Sequence, residues 1–258
     1  MKRFILFLKP DPEGRIRLYE EDYHYLVRVR RLKAGMYFDA VFPDGTETRV
    51  RVLSTTGGIL TGECSEGTEK PPSPIPPIAL FQGIPRGTKM DTIIRQAVEV
   101  AVSLVAPFES EYSTVKLGGN TNEKLKRWNR IVREARQQSG STIETLVREP
   151  CGFDAILEFW ESLKIVYKRP LGILLHHTPL EKGTFHSYLD IVPDYVVLVV
   201  GPEGGFSPRE VSLLMAANFK PLLMGDTILR AETAALYGTA VARTILLESE
   251  AWTLKSKK

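Results

Sequence analysis

The strongest constraint on the fold is a series of short, nearly unbroken apolar runs, each leading into a segment with helical spacing. IALFQGI (78–84) precedes KMDTIIRQAVEVAV (89–102), where Ile93, Ile94, Ala97, Val98 and Ala101 recur at helical intervals. SLVAPF (103–108) precedes a second amphipathic stretch at 120–140, whose apolar stripe is Leu125, Trp128, Ile131, Val132 and Ala135. LGILLHH (171–177), YVVLVV (195–200) and PLLMG (221–225) are further runs of this kind, each followed by a helical segment. Strands that are apolar on both faces belong in a parallel sheet covered by helices on both sides. An α/β domain is therefore expected from residue 78 to 258.

Ahead of that region lies EKPPSPIPP (69–77), with five prolines among residues 71–77. Proline removes backbone donors and keeps the chain extended, so 71–77 reads as a linker between domains. Residues 1–70 are β in pattern. MKRFILFLKP reads as a first strand. MYFDAVF and TETRVRVL flank an Asp44-Gly45 turn, a hairpin signal. In the second run Thr48, Val50 and Val52 share one face, and Glu47, Arg49 and Arg51 the other. A second turn, TTGG (55–58), leads into ILTGE, so a small β-barrel is expected. The insert at 20–35 concentrates Arg28, Arg30, Arg31 and Lys33. It is either a solvated basic edge or a contact for RNA phosphate.

Composition sets the outer limits. The 258 residues are 43% hydrophobic and 25% charged, as in a globular protein with a substantial core. No apolar run approaches the ~20 residues of a membrane helix, and the first residues lack the features of a secretion signal. Cys64 and Cys151 stand far apart without CxxC spacing, which excludes a disulfide framework and fits a cytoplasmic setting. The formal net charge of +3 does not by itself argue for a nucleic-acid partner. His176 and His177, adjacent and so expected on opposite strand faces, lack metal-ligand spacing with His186, and no metal site is expected.

The stretch GPEGGFSPREVSLL (201–214) joins a buried strand ending near Val200 to a helix beginning near Pro208. Ser207 is placed to cap that helix and Glu210 to complete a capping box. Ligands of open α/β sheets sit beyond the carboxyl ends of strands, and Gly201, Gly204 and Gly205 let backbone approach one closely. The spacing is neither GxGxxG nor GxxxxGK[ST], so dinucleotide and P-loop readings fail. Glu203 would repel a phosphate and would not repel a cation.

A second special stretch is PLLMGDTILRAETAALYGTAVARTILL (221–247). A strand is expected to end at Gly225 and a long helix to begin near Ala231. Ala234, Gly238 and Ala242 fall at four-residue steps and form a smooth face, suited to a dimer seam or to an internal contact. Arg230 and Glu232 flank the helix start, where a surface ion pair is the simplest account of both.

Together VVLVVGPEGGFSPREV and LLMGDTILRAETAAL resemble the paired signature of the ribosomal RNA small subunit methyltransferase E family, of the SPOUT class of S-adenosylmethionine enzymes. HYLVRVRRLKAG, the Lys89–Glu99 region with VSLVAP, and RWNRIVREARQQSG extend the likeness over nearly the whole chain. The resemblance implies an α/β domain tied in a trefoil knot, a PUA-like β-barrel for RNA, and a homodimer. It also implies a donor held by backbone of three loops, which here follow Leu175, Val200 and Met224. Donor contacts are then expected from Leu175, Val200, Gly201, Glu203, Gly204, Gly205, Met224, Gly225, Ile228 and Leu229, with Glu203 suited to a sulfonium cation.

The family's reaction methylates N3 of a uridine in 16S ribosomal RNA, so the small ribosomal subunit is the expected partner. Arg230 is expected to meet negative charge developing on the uracil oxygens, or the adjacent phosphate. Glu232 or Glu203 would orient the base or take its N3 proton. RNA contacts are expected from Arg28 and Arg31, and from Lys126, Arg130 and Arg133, a stripe at helical spacing followed by Gln137. Tyr112, Gln137, Ser141 and Thr227 depart from the family's usual residues, mainly at positions expected to face RNA. A methyltransferase of this fold with another RNA target, or a non-catalytic RNA-binding protein, are the alternatives.

Overall fold

A computed structural model describes residues 3–68, 73–116, 118, 120–177 and 183–249. The chain divides into two compact units, Met1–Pro72 with Arg136–Glu144, and Ser73–Ala135 with Thr145–Lys258. The first four residues of the expected boundary segment at 69–77 lie outside the described residues.

The first unit carries β1 (Phe4–Ile5), β2 (Arg15–Leu18), α1 (Glu20–Tyr23), β3 (Tyr37–Val41), β4 (Glu47–Thr56) and β5 (Ile59–Cys64). Its strands form a five-stranded sheet in the order β1-β3-β4-β5-β2, with β1 and β2 at the edges. The Asp44-Gly45 turn joins β3 to β4 as the hairpin signal requires, and Thr48, Val50 and Val52 face the core. Of the expected small barrel, the described residues form a half-barrel, an open sheet without a pairing between β1 and β2. The basic insert begins as α1 and continues through His24–Val29 as a wider turn, in which Arg30 N–H donates to the Tyr25 carbonyl. Leu26 and Leu32 anchor it, leaving Arg28 and Arg31 exposed.

The second unit carries β6 (Ile78–Gly83), α2 (Lys89–Glu99), β7 (Leu104–Glu109), α3 (Thr121–Ser139), β8 (Leu146–Val147), β9 (Cys151–Gly152) and α4 (Phe153–Val166). It continues with β10 (Pro170–Leu175), α5 (Phe185–Leu189), β11 (Tyr195–Val200), α6 (Pro208–Ala216), β12 (Lys220–Leu222) and α7 (Ala231–Ser249). The sheet order is β12-β10-β11-β6-β7-β8, with β9 also on β7, and every pairing is parallel. Ile78, Leu80, Ile173, Val196 and Leu198 pack on one side beneath α2, α3, α5 and α7. Ala79, Phe81, Leu174, Val197 and Val199 pack on the other beneath α4 and α6. The two-sided cover accounts for the unbroken apolar runs.

Two boundaries differ from expectation, and one helix is additional. α2 stops at Glu99, and Ala101 takes a left-handed φ of 56°, outside the helix. β12 ends at Leu222, so the loop before α7 is longer than PLLMG suggests. α4 was not anticipated. Of the two accounts of the small-residue face on α7, the internal contact holds at Gly238. A Cβ there would stand 2.6 Å from Leu175 Cδ1 and 3.0 Å from Leu198 Cδ2. Among the described residues no helix is long and apolar enough to cross a membrane.

Candidate active site

β10, β11 and β12 are neighbours, and their carboxyl ends feed three loops on the same edge of the sheet. The loop after β11 is the most tightly built. Gly205 has φ 69°, a left-handed conformation that glycine adopts without steric cost, and its N–H closes a turn on the Pro202 carbonyl. A Cβ on Gly201 would stand 3.1 Å from the Gly205 backbone, tighter than most Cβ contacts, so a side chain there would force the turn open by a few tenths of an ångström.

Buried polar side chains brace both ends of this turn. Gln82 is fully buried and is the register partner of Val200 across β6 and β11. Its Nε2 donates to the Gly83 carbonyl at 2.9 Å and to the Gly201 carbonyl at 3.4 Å. Two acceptors on that side fix which way the amide faces. At the other end Ser207 and Glu210 form the reciprocal capping box that the sequence signals. Glu210 does more than cap. Fully buried, its carboxylate accepts hydrogen bonds from Ser207 N–H, Ser110 Oγ and Glu111 N–H, each at 2.9 Å. It thus ties the start of α6 to the loop after β7.

The three loops enclose a cavity of about 450 Å³, within the range that holds a cofactor-sized molecule. Of the expected donor residues, Leu175, Val200, Gly201, Glu203, Gly204, Gly205, Met224, Ile228 and Leu229 line it, as do Thr227 and Arg230. Gly225 and Glu232 are not wall residues. The wall also includes His176, His177, Pro202, Phe206, Leu223, Ala231 and Ala234, which the sequence reading missed. The two histidines do not point to opposite faces. β10 ends at Leu175, and beyond it the rings stack with centroids 4.6 Å apart.

The electrostatics differ from expectation at Glu203. Its carboxylate lies 2.6 Å from Lys89 Nζ and accepts the Arg86 N–H at 3.2 and 3.3 Å. Partial burial alone would push this carboxyl up, but the hydrogen bonds from Lys89 and from the Glu203 and Arg86 backbone outweigh it. They hold it below the usual carboxylate range. The charge intended for a cationic ligand is largely matched by Lys89. Arg230 is exposed on the wall, and no ion pair joins it to Glu232 among the described residues. Glu232 Oε2 is instead buried with no hydrogen-bond partner.

The residues expected to meet RNA lie on both units. Arg28 and Arg31 belong to the first. Lys126 and Arg130 are exposed on α3 in the second, with Arg133 half-buried, and Arg130 pairs with Glu134 at 3.4 Å. Gln137, half-buried, accepts the Ile5 N–H through Oε1 at 2.9 Å within the first unit. Among the described residues no cluster of three His, Cys, Asp or Glu side chains is placed to hold a metal ion.

Comparison with known proteins assigns this architecture. Residues 71–243 match the RNA methyltransferase domain family model. The chain is 32% identical to ribosomal RNA small subunit methyltransferase E of Synechocystis, over 91% of this chain and 74% of that one. With the protein of the same name from Aquifex aeolicus it shares 30% identity, over 90% and 95%. A candidate methyltransferase from Legionella pneumophila, solved with its cofactor SAM bound, superposes with a TM-score of 0.79 at 25% identity, over 94% and 97%. By motif, fold and sequence likeness, this chain belongs to the ribosomal RNA small subunit methyltransferase E family.

Proposed function

We propose that this chain methylates N3 of a uridine in 16S ribosomal RNA, using S-adenosylmethionine as the donor. One observation carries the reading: a cavity of about 450 Å³ whose wall is supplied largely by residues of the loops that follow three adjacent parallel strands. The names of the Synechocystis and Aquifex relatives support the RNA, and the SAM bound to the Legionella protein supports the donor. When bound, S-adenosylmethionine supplies an electrophilic methyl group. Leu175, the turn at 201–205, Met224, Ile228 and Leu229 would hold it, with Gly225 shaping the third loop.

Methyl transfer is a displacement, so most of the protein's task is positioning. The uridine must be unpaired, and its N3 proton must leave. Arg230, exposed on the wall, is suited to the negative charge that develops on the uracil oxygens. Glu203 lines the cavity but is committed to Lys89, and Glu232, which does not line it, would orient the base or take the proton through a water. The open β-sheet unit, read as PUA-like, would grip RNA through Arg28 and Arg31, assisted by Lys126, Arg130 and Arg133 on α3. A trefoil knot in the α/β unit, a homodimer and a cytoplasmic setting complete the reading. A methyltransferase acting on another RNA is the second reading, favoured by Tyr112, Ser141 and Thr227 standing where the family usually has arginine.

Calorimetric titration with S-adenosylmethionine, followed by identification of the RNA and nucleotide that take up labelled methyl, tests both readings. Absence of donor binding would remove the enzymatic one. Near-normal transfer by both Arg230→Ala and Glu232→Ala would remove the assigned roles.

A further inference from the structure

We propose that Tyr112 is a further RNA-binding residue, a stacking platform for the unpaired base beside the donor cavity. The inference rests on the methyltransferase reading above. Tyr112 is 48% exposed. Among the described residues its ring stacks on no other aromatic and its hydroxyl has no hydrogen-bond partner. An aromatic side chain left about half exposed gains only part of what full burial would give, yet hydrogen bonds hold its mount. Ser110 N–H donates to Ser113 Oγ at 3.0 Å, and Ser113 N–H returns to the Ser110 carbonyl at 2.9 Å. The buried Glu210 carboxylate then holds Ser110 Oγ and Glu111 N–H.

The mount is set against the cavity wall. A Cβ on Gly204 would stand 2.9 Å from Tyr112 Cβ and 3.2 Å from its carbonyl oxygen, so the residue lies flush on the glycine turn. Gly204 itself lines the cavity. A base that must leave its helical stack to be modified needs a new surface for its π-face. Aromatic side chains provide that surface for single-stranded RNA without fixing its sequence. A rigidly mounted, unpartnered tyrosine next to the donor turn suits an unpaired base better than a protein partner, which would call for a wider apolar patch.

The test uses the full-length protein, small ribosomal subunits lacking the methyl mark, and labelled S-adenosylmethionine. Tyr112→Ala and Tyr112→Leu should raise KM for the subunits about tenfold or more, the scale of one lost base stack. Tyr112→Phe should stay within about twofold, because the ring is kept. The calorimetric Kd for S-adenosylmethionine should be the same in all three. An unchanged KM in Tyr112→Ala overturns the proposal. So does a matching loss of donor affinity, which would make Tyr112 only a brace for Gly204. Wild-type protein that labels no RNA would defeat the underlying reading, a failure visible before any variant is made.

Discussion

Lys89 Nζ lies 2.6 Å from Glu203 Oε1, joining the first turn of α2 to the glycine turn after β11. Because this pair uses most of the carboxylate's charge, Glu203 contributes to the shape of the cavity wall more than to its potential. Glu203→Gln should therefore change donor affinity by no more than about threefold, the scale of a partly exposed ion pair. Calorimetry with S-adenosylmethionine decides it, and a loss well above that would restore Glu203 as the counter-charge to the sulfonium.

The same pair predicts a pH dependence. Glu203 is held below its ordinary value in the folded chain. Its stabilisation is thus fully present above the unfolded carboxyl pKa of about 4.3 and is lost as pH falls through the lower folded value. Since both side chains are about one-third exposed, the contribution is about 0.2–1 kcal/mol. Urea unfolding should show Glu203→Gln less stable than wild type by that amount at neutral pH, with the gap closing in acid.

Glu210→Ala removes one acceptor from three donors at once. Buried donors left unmatched each cost about 1–3 kcal/mol, so a loss of about 3 kcal/mol in urea unfolding is expected. Donor affinity should fall with it, because the turn at 201–206 loses its anchor at Ser207. Unchanged affinity at a temperature where the variant remains folded would show that the turn holds its shape unaided.

Arg136→Met should be neutral or stabilising. Arg136 is 2% exposed, and its guanidinium rests 5.6 Å from the centre of the Phe7 ring and leaves Nε and Nη2 without partners. Burial lowers its pKa, with Glu144 only partly opposing. A buried charge so poorly matched is replaced by an apolar side chain of similar volume at no loss, often with a gain of about 1 kcal/mol or more. Thermal unfolding checks it, and a drop in Tm would mean the charge is better compensated than its hydrogen bonds indicate.

What the sequence disclosed follows from the range of each interaction. The Ser207–Glu210 capping box is local, four residues long, and is legible letter by letter. So are the parallel strands, because burial on both faces leaves an unbroken apolar run. α4 carried a readable signal as well, with Phe153, Ile156, Trp160 and Leu163 at helical spacing and all buried, but no strand-like run directly precedes it to draw attention. The pairing of Glu203 with Lys89, across 114 positions, and of Gln137 with Ile5, across 132, left no trace in local pattern. Alternation of faces holds only within a strand, and His176 and His177 lie past the end of β10 at Leu175.

Gly238 links the core to the cavity. A Cβ there meets Leu175 Cδ1 at 2.6 Å, and Leu175 is itself a wall residue. In Gly238→Ala two effects oppose. Alanine stabilises the helix by about 1 kcal/mol relative to glycine, while the new methyl forces the Leu175 and Leu198 side chains aside, at a typical overpacking cost of about 1–3 kcal/mol. Because the end of a leucine side chain can turn away, the net change in stability should be small, within about 1 kcal/mol. The displaced Leu175 should show instead in donor affinity, weakened about three- to tenfold with the fold intact. Gly238→Val, with two more methyl groups in the same space, should lose both stability and binding. If urea unfolding and calorimetry show Gly238→Val binding the donor as wild type does, Leu175 does not form the part of the wall that the ligand touches.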